Sequence, residues 1–453
     1  MNAFHAYDIR GIWGIDFTGE DVYKIGYFIP KLLGTKKVLV GRDARSSSPE
    51  IHQALIQGIC ESGADVVDIG LSTTPQVYYA TVLHGFKASV QITASHNSAE
   101  YNGLKISRAQ AMPVGYDSGL NLLEAWIGAA NPAAERPVVT AAQRGHVFPF
   151  SVRDDYLSFL RNYVGDYTNL KMGIDLSNGM AGLFMRDLLG NAPIYLFEEL
   201  DGTFPHHDPN PLIADNREAL KTLVINKQCD IGIIFDGDAD RVMFIDELGQ
   251  FISPDLIIAV LGHYFLEEKG LNGPVLQDIR TSKAVSEYLT PLGAEMHTWR
   301  VGRAFASPKL KEIDGIFGGE LAGHYYFKDF FYSDSAIMAS LIIMNVVSKM
   351  KVKGISFSKL ISGISRYANS GEINYNVEKK QEVMDAVCSY FTAKERPVAS
   401  YDFDGYRVEF PDWWFNIRPS NTEPLLRFVA EASSTNLLQE KLKTVNKLIK
   451  KFG

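Results

Sequence analysis

The sequence Thr93-Ala94-Ser95-His96-Asn97-Ser98 follows residues 88–92, a run that alternates small or apolar side chains with polar ones. Such a run, ending abruptly in small polar residues, predicts a β-strand that leads into a loop. We therefore expect Ser95 at the end of a strand. Its hydroxyl group is a poor nucleophile unless activated, and His96 and Lys105 offer an imidazole and a cation nearby in sequence.

Three roles are open to Ser95. In the first, Ser95 attacks an acyl group with His96 as its base, although adjacent side chains point to opposite faces of a strand. In the second, Ser95 carries a phosphoryl group, whose charge of about −1.5 to −2 needs a metal ion and cations nearby. In the third, the loop simply caps a helix. The second role requires a metal site elsewhere in the chain.

Strands and helices alternate around this loop. The pattern predicts strands at residues 37–40, 64–69 and 88–92, and helices at residues 21–33, 51–62 and 74–83. Ser48 is the expected cap of the helix that Pro49 begins. This order predicts a mostly parallel sheet with helices on both faces, which binds ligands at the carboxyl ends of its strands.

The α/β pattern restarts twice after an expected linker at about residues 128–150. The last part of the chain, after about residue 370, has short strands and one helix, which predict an antiparallel α+β domain. A chain of 453 residues has room for two to four domains.

The composition is that of a globular protein, with 46% hydrophobic and 22% charged residues. A net charge of −8 disfavours broad nucleic-acid binding. No apolar run is long enough to span a membrane and the N-terminus has no signal-peptide pattern, so we expect a cytoplasmic protein. The three cysteines, Cys60, Cys229 and Cys388, are widely separated and are expected to be free thiols.

Three aspartates, Asp236, Asp238 and Asp240, follow a predicted buried strand at residues 231–235. If the loop stays extended, their carboxylates converge, and such oxygen ligands suit Mg²⁺. A solvated acidic turn and an EF-hand calcium loop, with Glu247 as its twelfth residue, are the alternatives. Arg241 stands where an EF-hand needs glycine, and it is well placed to stabilise a transferring phosphoryl group.

Two further loops carry groups that bind phosphate or sugar. The segment Arg418-Pro419-Ser420-Asn421-Thr422-Glu423-Pro424-Leu425-Leu426-Arg427 combines two guanidinium groups with hydroxyls and an amide, which fits a phosphate dianion or a plain polar turn. The segment Gly319-Glu320-Leu321-Ala322-Gly323-His324 offers a carboxylate and an imidazole for sugar hydroxyl groups, although a structural histidine is the alternative.

Together these four loops resemble the motifs of the α-D-phosphohexomutase family, closest to its phosphomannomutase/phosphoglucomutase branch. The resemblance implies four domains around a central cleft: three α/β domains with mixed, mostly parallel sheets, and a mobile α+β domain with an antiparallel sheet. We place the domains, which carry the phosphoserine, metal, sugar-recognition and phosphate-binding loops in that order, at residues 1–148, 149–250, 251–367 and 368–453.

The resemblance also implies residue roles. Ser95 is the phosphorylated residue and a metal ligand, together with Asp236, Asp238 and Asp240. The other expected catalytic residues are Lys105, Arg241, Arg10 and His96. The expected substrate-binding residues are Tyr7, Arg280, Arg303, Glu320, His324, Arg418, Ser420, Asn421, Thr422 and Arg427.

Several positions depart from the family pattern. Ser98 replaces a usual proline, Ala239 a usual glycine and Arg280 a common lysine. Arg303 stands where many members have histidine. Ala322 replaces a serine that contributes to sugar recognition in this branch, which leaves more of that role to Glu320.

The predicted activity is the interconversion of hexose 1-phosphate and hexose 6-phosphate, of mannose or glucose, through phosphorylated Ser95 and a bisphosphorylated sugar. The resemblance implies one Mg²⁺ per chain as cofactor and glucose or mannose 1,6-bisphosphate as activator, and we expect the chain to be a monomer or homodimer. Three alternatives are a phosphoglucosamine mutase, a haloacid-dehalogenase-like phosphatase with Asp236 as nucleophile, and a catalytically silent phosphosugar-binding protein.

Overall fold

The computed structural model describes residues 2–129, 140, 143–420 and 425–452. Residues 131–137 of the expected linker lie outside these ranges. The described residues form four β-sheets with helices packed against them. Short 3₁₀ segments occur at Ala109–Ala111, Tyr116–Ser118, Met180–Leu183, Asp215–Arg217, Thr290–Leu292 and Lys328–Phe330, and a π-helical segment at His263–Glu268.

The first sheet has six strands: β1 (Ile9–Ile12), β2 (Lys37–Arg42), β3 (Asp65–Leu71), β4 (Ala88–Ile92), β5 (Tyr101–Arg108) and β6 (Val147–Pro149). Their order is β1-β5-β4-β2-β3-β6, and β5 alone runs antiparallel to both of its neighbours. Its helices are α1 (Gly19–Leu33), α2 (Ser48–Glu61), α3 (Thr74–Leu83) and α4 (Leu120–Ala129). Ser47, rather than the expected Ser48, occupies the capping position of α2, since Ser48 is already helical and donates its hydroxyl to Asp43.

The second sheet has the order β11-β10-β9-β7-β8, with β7 parallel to β8 and β9. Its strands are β7 (Met172–Asp175), β8 (Ile194–Leu196), β9 (Ile231–Phe235), β10 (Val242–Asp246) and β11 (Phe251–Ile252), and its helices are α5 (Arg153–Arg161), α6 (Met185–Leu189) and α7 (Glu218–Lys227). Strands β9 and β10 are buried along their whole length, as the apolar runs around the three aspartates predict.

The third sheet has the order β13-β12-β14-β15-β16, with β12 parallel to β13 and β14. Its strands are β12 (Gly273–Asp278), β13 (Ala294–Trp299), β14 (Phe317–Gly319), β15 (Tyr325–Phe327) and β16 (Ser333–Asp334). Its helices are α8 (Pro254–Gly262), α9 (Lys283–Leu289), α10 (Arg303–Glu312), α11 (Ala336–Val352) and α12 (Phe357–Ile364).

The second and third sheets share one hydrophobic core, whereas the first and fourth have their own. Helix α11 is buried on nearly all sides, and a helix that is apolar all round must be covered all round. The hydroxyl of Tyr167 donates to the Leu341 carbonyl oxygen (2.9 Å), and Asn345 Nδ2 donates to the Tyr163 carbonyl oxygen (2.9 Å). These contacts hold the two α/β units together.

The fourth sheet is antiparallel throughout, in the order β17-β22-β21-β20-β19 with β18 also paired to β22. Its strands are β17 (Ala368–Asn369), β18 (Ile373–Tyr375), β19 (Ala399–Tyr401), β20 (Tyr406–Glu409), β21 (Trp413–Pro419) and β22 (Leu426–Ala432), and its helices are α13 (Lys380–Thr392) and α14 (Thr435–Ile449). The predicted fold class, three α/β units followed by an antiparallel α+β unit, is confirmed. Among the described residues, no helix combines the length and apolar character needed to cross a bilayer.

Candidate active site

The loops that follow β4 and β9 meet at the carboxyl edges of their sheets. Ser95 lies three residues beyond the end of β4 and is almost fully buried. Its hydroxyl oxygen donates a hydrogen bond to Asp236 Oδ2 at 2.9 Å. A side chain at Gly237 would place its Cβ 2.5 Å from the Ser95 carbonyl oxygen, so this approach of the two loops requires glycine. Two segments 141 residues apart in sequence thus form one site.

The Ser95 loop is held by Arg45, which the sequence analysis missed. The Arg45 guanidinium donates to the carbonyl oxygens of Ser95 (2.9 Å), Asn97 (2.5 Å), Ser98 (2.6 Å) and Tyr101 (3.1 Å). Its side chain is only 1% exposed. The sequence feature that could have identified Arg45 is its position shortly after β2. Because β2 runs parallel to β4, the carboxyl ends of the two strands lie at the same edge of the sheet, where Ser95 is also found.

His96 lies closer to Ser95 than strand geometry predicted. Its Nδ1 atom is 3.4 Å from Ser95 Oγ. The extended-strand argument does not apply here because Ser95 has a left-handed backbone, with φ of 53°. Burial, followed by repulsion from Arg241 and Arg10, lowers the pKa of His96 well below its ordinary value. His96 is therefore a neutral ring beside the hydroxyl group.

The carboxylates of Asp236, Asp238 and Asp240 converge, as predicted. One oxygen from each lies within 4.8 Å of the others, and all three residues are buried. The loop is turned rather than extended, with Ala239 at a φ of 62°, so the predicted convergence arises from a turn. Asp238 Oδ1 and Asp240 Oδ1 are buried and have no hydrogen-bond partner among the described residues. Converging carboxylates with unsatisfied buried oxygens fit a hard cation.

The calcium-loop alternative does not fit this geometry. Glu247 lies beyond the end of β10, and its carboxylate accepts from the backbone N–H of Ser358 (3.0 Å) and from the Ser358 hydroxyl (2.5 Å). An EF-hand would need this carboxylate to turn back toward the three aspartates. The antiparallel pairing of β9 with β10 directs it elsewhere.

Asp236 gives a pH-dependent test of the cluster. Burial, followed by repulsion from Asp240 and Asp238, raises the pKa of Asp236 well above its ordinary value. The folded, metal-free protein therefore holds this proton more tightly than the unfolded chain, and the corresponding stability is lost as pH rises above about 4. Relative to the wild type, Asp236→Asn should become progressively more stable as pH rises above about 4. Urea unfolding in EDTA at several pH values measures this difference, and a pH-independent difference would contradict it.

Lys105, on β5, faces the same cluster. Its Nζ atom donates to Asp238 Oδ2 (2.7 Å) and to Asp240 Oδ2 (2.5 Å). Burial alone would lower the pKa of Lys105, but the two carboxylates outweigh burial and raise it. Thr74, at the start of α3, also donates its hydroxyl to Asp238. Lys105 is therefore a fixed positive charge at the site.

Arg241 connects the aspartate loop to the third α/β unit. Its Nε–H donates to His324 Nε2 at 2.9 Å, and His324 Nδ1–H donates to Asp334 Oδ2 at 2.6 Å. These two bonds identify His324 as a neutral ring protonated at Nδ1. Asp334, on β16, is fully buried. The sequence analysis missed Asp334, which lies outside every quoted motif.

Arg303, which was predicted to bind substrate, is engaged by other groups of the protein. Its Nε donates to Asp334 Oδ1 (3.1 Å), and its Nη2 donates to the carbonyl oxygen of Ala111 (2.6 Å). The guanidinium carbon also lies 3.7 Å from the ring centre of Tyr78. Arg303 therefore joins the third α/β unit to the first.

These contacts predict a mainly structural effect for Arg303→Ala. The change leaves the buried Asp334 carboxylate without its arginine and should cost about 3 kcal/mol of unfolding free energy. Denaturant unfolding measures this cost, and mutase kinetics at a permissive temperature measure KM. A raised KM with unchanged stability would instead support the predicted contact with substrate.

Glu320 is buried and already bonded within its own domain. Its carboxylate accepts from the backbone N–H of Gly302 (3.1 and 3.2 Å) and from the hydroxyl of Tyr326 (2.8 Å). Burial raises the pKa of Glu320. On the adjoining segment, the hydroxyl of Tyr7 donates to the Val301 carbonyl oxygen at 2.9 Å. Glu320 thus positions the 301–302 turn beside the first domain.

Arg10 belongs to the Ser95 side of the cleft. Its Nη1 donates to Asn97 Oδ1 (2.8 Å) and its Nη2 to Asp8 Oδ2 (2.5 Å). Arg10 lies on β1, whose partner β5 carries Lys105. Both cations therefore approach the site from neighbouring strands.

The predicted phosphate loop joins β21 to β22. Arg418 and Arg427 are opposite each other in the antiparallel register of these strands. The backbone N–H of Ser420 donates to the Leu425 carbonyl oxygen at 2.8 Å, which continues the pairing of the two strands beyond Pro419 and Leu426. Asn421 and Thr422 lie outside the described residues. Both guanidinium groups therefore sit at the base of this loop.

The arginines of this region pair with carboxylates that the motif analysis did not assign. Arg418 pairs with Asp404, and Arg427 with Glu372. Glu372 is also 3.4 Å from Arg280 Nη1, and Arg280 is held by Asp278. Arg280 and Arg427 therefore meet at one carboxylate, across the boundary between the third and fourth units.

Four family models match the chain in order: phosphoglucomutase/phosphomannomutase alpha/beta/alpha domain I (residues 1–127), domain II (154–249) and domain III (253–367), and the C-terminal domain (372–447). The phosphomannomutase of Vibrio cholerae is 34% identical over 100% of this chain and 99% of its own length. The chain belongs to the phosphoglucomutase/phosphomannomutase family. The phosphomannomutase of Escherichia coli K12 is also 34% identical, over 97% of both chains.

A solved structure of a phosphoglucomutase/phosphomannomutase family protein from Burkholderia thailandensis has a TM-score of 0.86. It is 26% identical and covers 99% of this chain and 97% of its own. The predicted family and the predicted enzyme class, a phosphohexomutase, are confirmed. The roles of individual residues and the domain boundaries at 148, 250 and 367 stay predictions.

Proposed function

We propose that this phosphohexomutase interconverts hexose 1-phosphate and hexose 6-phosphate by way of phosphorylated Ser95. One observation carries the proposal: Ser95 Oγ lies 2.9 Å from Asp236 Oδ2, and Asp236 belongs to the cluster of three aspartates that Lys105 also contacts. Phosphoryl transfer depends mainly on positioning and on stabilising negative charge. A hydroxyl group, a cation site and a fixed ammonium group supply these requirements in one place.

We propose that Asp236, Asp238 and Asp240, with Ser95, hold one Mg²⁺. The unsatisfied Oδ1 atoms of Asp238 and Asp240 support this assignment, since both are buried. When bound, the ion would neutralise part of the negative charge of the transferring phosphoryl group. Without a cation, Lys105 offsets part of the repulsion within the cluster through its ion pairs with Asp238 and Asp240, and the remaining repulsion helps to raise the pKa of Asp236.

In the proposed cycle, the phosphate already on the sugar binds Arg418, Ser420, Asn421, Thr422 and Arg427. The free 1- or 6-hydroxyl oxygen attacks the phosphorus on Ser95, so that the bond from Ser95 Oγ to phosphorus breaks as a bond from the sugar oxygen forms. The proton of the sugar hydroxyl passes to the departing Ser95 Oγ, which becomes a hydroxyl group again. The resulting bisphosphorylated sugar turns around, and its other phosphate returns to Ser95. Glucose or mannose 1,6-bisphosphate would act as activator by phosphorylating Ser95.

Other residues would stabilise charge at the reacting end. Lys105 and Arg241 are the candidates for the charge that develops on the phosphoryl oxygens, with Arg10 beside the same loop. The raised pKa of Lys105 favours this electrostatic role over proton removal. His96 is the neutral ring nearest the nucleophile.

Sugar recognition is proposed for Glu320 and His324, with Tyr7, Arg280 and Arg303 lining the same region. The two relatives at 34% identity are phosphomannomutases, which favours mannose phosphate as a substrate. A phosphoglucosamine mutase remains the alternative within the family. A catalytically silent binding protein is disfavoured because Ser95 and all three aspartates are present and brought together.

Intact-mass measurement before and after adding glucose 1,6-bisphosphate, with peptide mapping, tests the phosphoserine. Parallel assays on mannose 1-phosphate, glucose 1-phosphate and glucosamine 1-phosphate test the substrate. Phosphate on Ser95 with turnover of at least one sugar supports the proposal, whereas an unphosphorylated and inactive protein contradicts it. The cytoplasmic location and the monomeric or homodimeric state stay predictions.

A further inference from the structure

The two arginines at the phosphate loop are held by carboxylates that also contact the third domain. Glu372 lies 3.0 Å from Arg427 Nη1 and 3.4 Å from Arg280 Nη1. Asp404 accepts from Arg418 Nε at 3.0 Å through one oxygen and from the Val301 N–H at 2.8 Å through the other. Each carboxylate therefore joins one arginine of the fourth domain to one group of the third.

We propose that Glu372 and Asp404 compete with the substrate phosphate for Arg427 and Arg418. The inference rests on the proposed role of these arginines as the phosphate anchor. A carboxylate and a phosphate offer arginine the same kind of acceptor oxygens, but a phosphate dianion carries more charge. Only a ligand group of high negative charge displaces the internal carboxylates. Glu372 and Asp404 thereby limit how tightly Arg427 and Arg418 hold a phosphate group.

Displacement has a second consequence, because the same carboxylates bridge the domains. When phosphate takes Arg427, Glu372 loses one of its two cationic partners, and the bridge from Arg280 to Arg427 is broken. Displacement of Asp404 from Arg418 likewise breaks the link from Arg418 to Val301. Phosphate binding thus weakens contacts that fix the fourth domain in its present orientation.

The remaining contacts keep the fourth domain attached. Arg407 Nη1 donates to the carbonyl oxygens of Ile279 (2.8 Å) and Thr281 (2.7 Å), and neither bond involves a phosphate-loop arginine. The rings of Trp299 and Phe403 also pack with their centres 5.4 Å apart. The two competing carboxylates can therefore be displaced while this part of the interface persists.

The buried environment of Arg418 also supports an exchange of partners. Its side chain is 3% exposed, and its Nη2 atom has no hydrogen-bond partner among the described residues. Asp404 engages Nε, which leaves a further donor on the same guanidinium plane. A phosphate group can use two donors of one guanidinium together, whereas Asp404 divides its oxygens between Arg418 and Val301.

The test measures binding of glucose 6-phosphate to the full-length protein by calorimetry. Glu372→Gln removes the competing charge with little change of shape, so the Kd should fall by about three- to tenfold. Asp404→Asn, which keeps an acceptor for Val301, should act in the same direction. Glucose without phosphate should bind no better to either variant.

The matched control is Glu409→Gln. Glu409 lies at the same domain boundary, 3.7 Å from Lys283, and pairs with Arg407 rather than with a phosphate-loop arginine. Its Kd for glucose 6-phosphate should equal that of the wild type. A Kd that is unchanged or raised in both Glu372→Gln and Asp404→Asn would show that the carboxylates only support the arginines, and would overturn the competition.

Arg427→Ala separates this inference from the proposed function. Suppose that Arg427→Ala weakens glucose 6-phosphate binding but the two carboxylate variants do not strengthen it. The role of Arg427 as phosphate anchor is then supported, and the proposed competition is wrong. If Arg427→Ala leaves the Kd unchanged, the anchor assignment fails and the competition fails with it.

Discussion

Replacing Ser95 with alanine should reduce mutase turnover by at least about 10³-fold, because the variant has no oxygen to carry the transferred phosphoryl group. The cluster of aspartates and Lys105 would remain, so the folded state and hexose phosphate binding should be retained. Turnover of mannose 1-phosphate or glucose 1-phosphate measures the loss. Intact mass after incubation with glucose 1,6-bisphosphate should show phosphate on the wild type and none on the variant.

Ser98→Ala is the matched control for this change. Ser98 lies in the same loop, but its hydroxyl donates to Glu100 at an exposed position, whereas Ser95 faces Asp236. Ser98→Ala should therefore keep wild-type turnover and remain phosphorylated. Substantial mutase activity in Ser95→Ala would contradict the assignment of the nucleophile.

The second large effect is expected at the metal cluster. Asp240→Asn removes one of the three converging charges, and turnover should fall by at least about 10²-fold, because a bound ion contributes several kcal/mol to charge stabilisation. The rise in Tm that Mg²⁺ produces in the wild type should be lost. Thermal unfolding in EDTA and in Mg²⁺ measures this shift independently of activity.

Glu247→Gln provides the control for the identity of the metal site. The structure places Glu247 against Ser358, so its charge should not affect either turnover or the Mg²⁺-dependent shift in Tm. If Glu247→Gln removed the metal response while Asp240→Asn kept it, the Asp236–Asp240 cluster would not be the metal site.

The local sequence predicted the strands and their ends well. Residues 88–92 and 231–235 form β4 and β9 with the predicted bounds, and Thr74–Leu83 forms the predicted helix α3. These elements depend on the periodicity of apolar side chains and on Pro75 near the helix start, both of which are local properties. The placement of Ser95 and the aspartates at strand ends followed from the same pattern.

The local sequence did not predict which residues contact the residues of the site. Arg45 holds the Ser95 loop from 50 residues away, and Asp334 orients His324 from β16, the strand that pairs with β15. A lone arginine or aspartate in a sequence has no periodic signal that specifies its partner. Arg303 illustrates the difference, since it was predicted to bind substrate but its hydrogen bonds are to Asp334 and Ala111.

The sequence by itself determined the order of strands and helices, the chemical groups at each strand end and the family to which the motifs belong. Only the tertiary structure decided which of these groups meet, such as Ser95 with Asp236 and Arg427 with Glu372. Apolar periodicity acts over a few residues, so it can be read along the chain. Pairing of charges depends instead on how strands of different sheets bring distant loops together at one cleft. Water is excluded there, so an unpaired charge is costly and each charged group needs a particular partner.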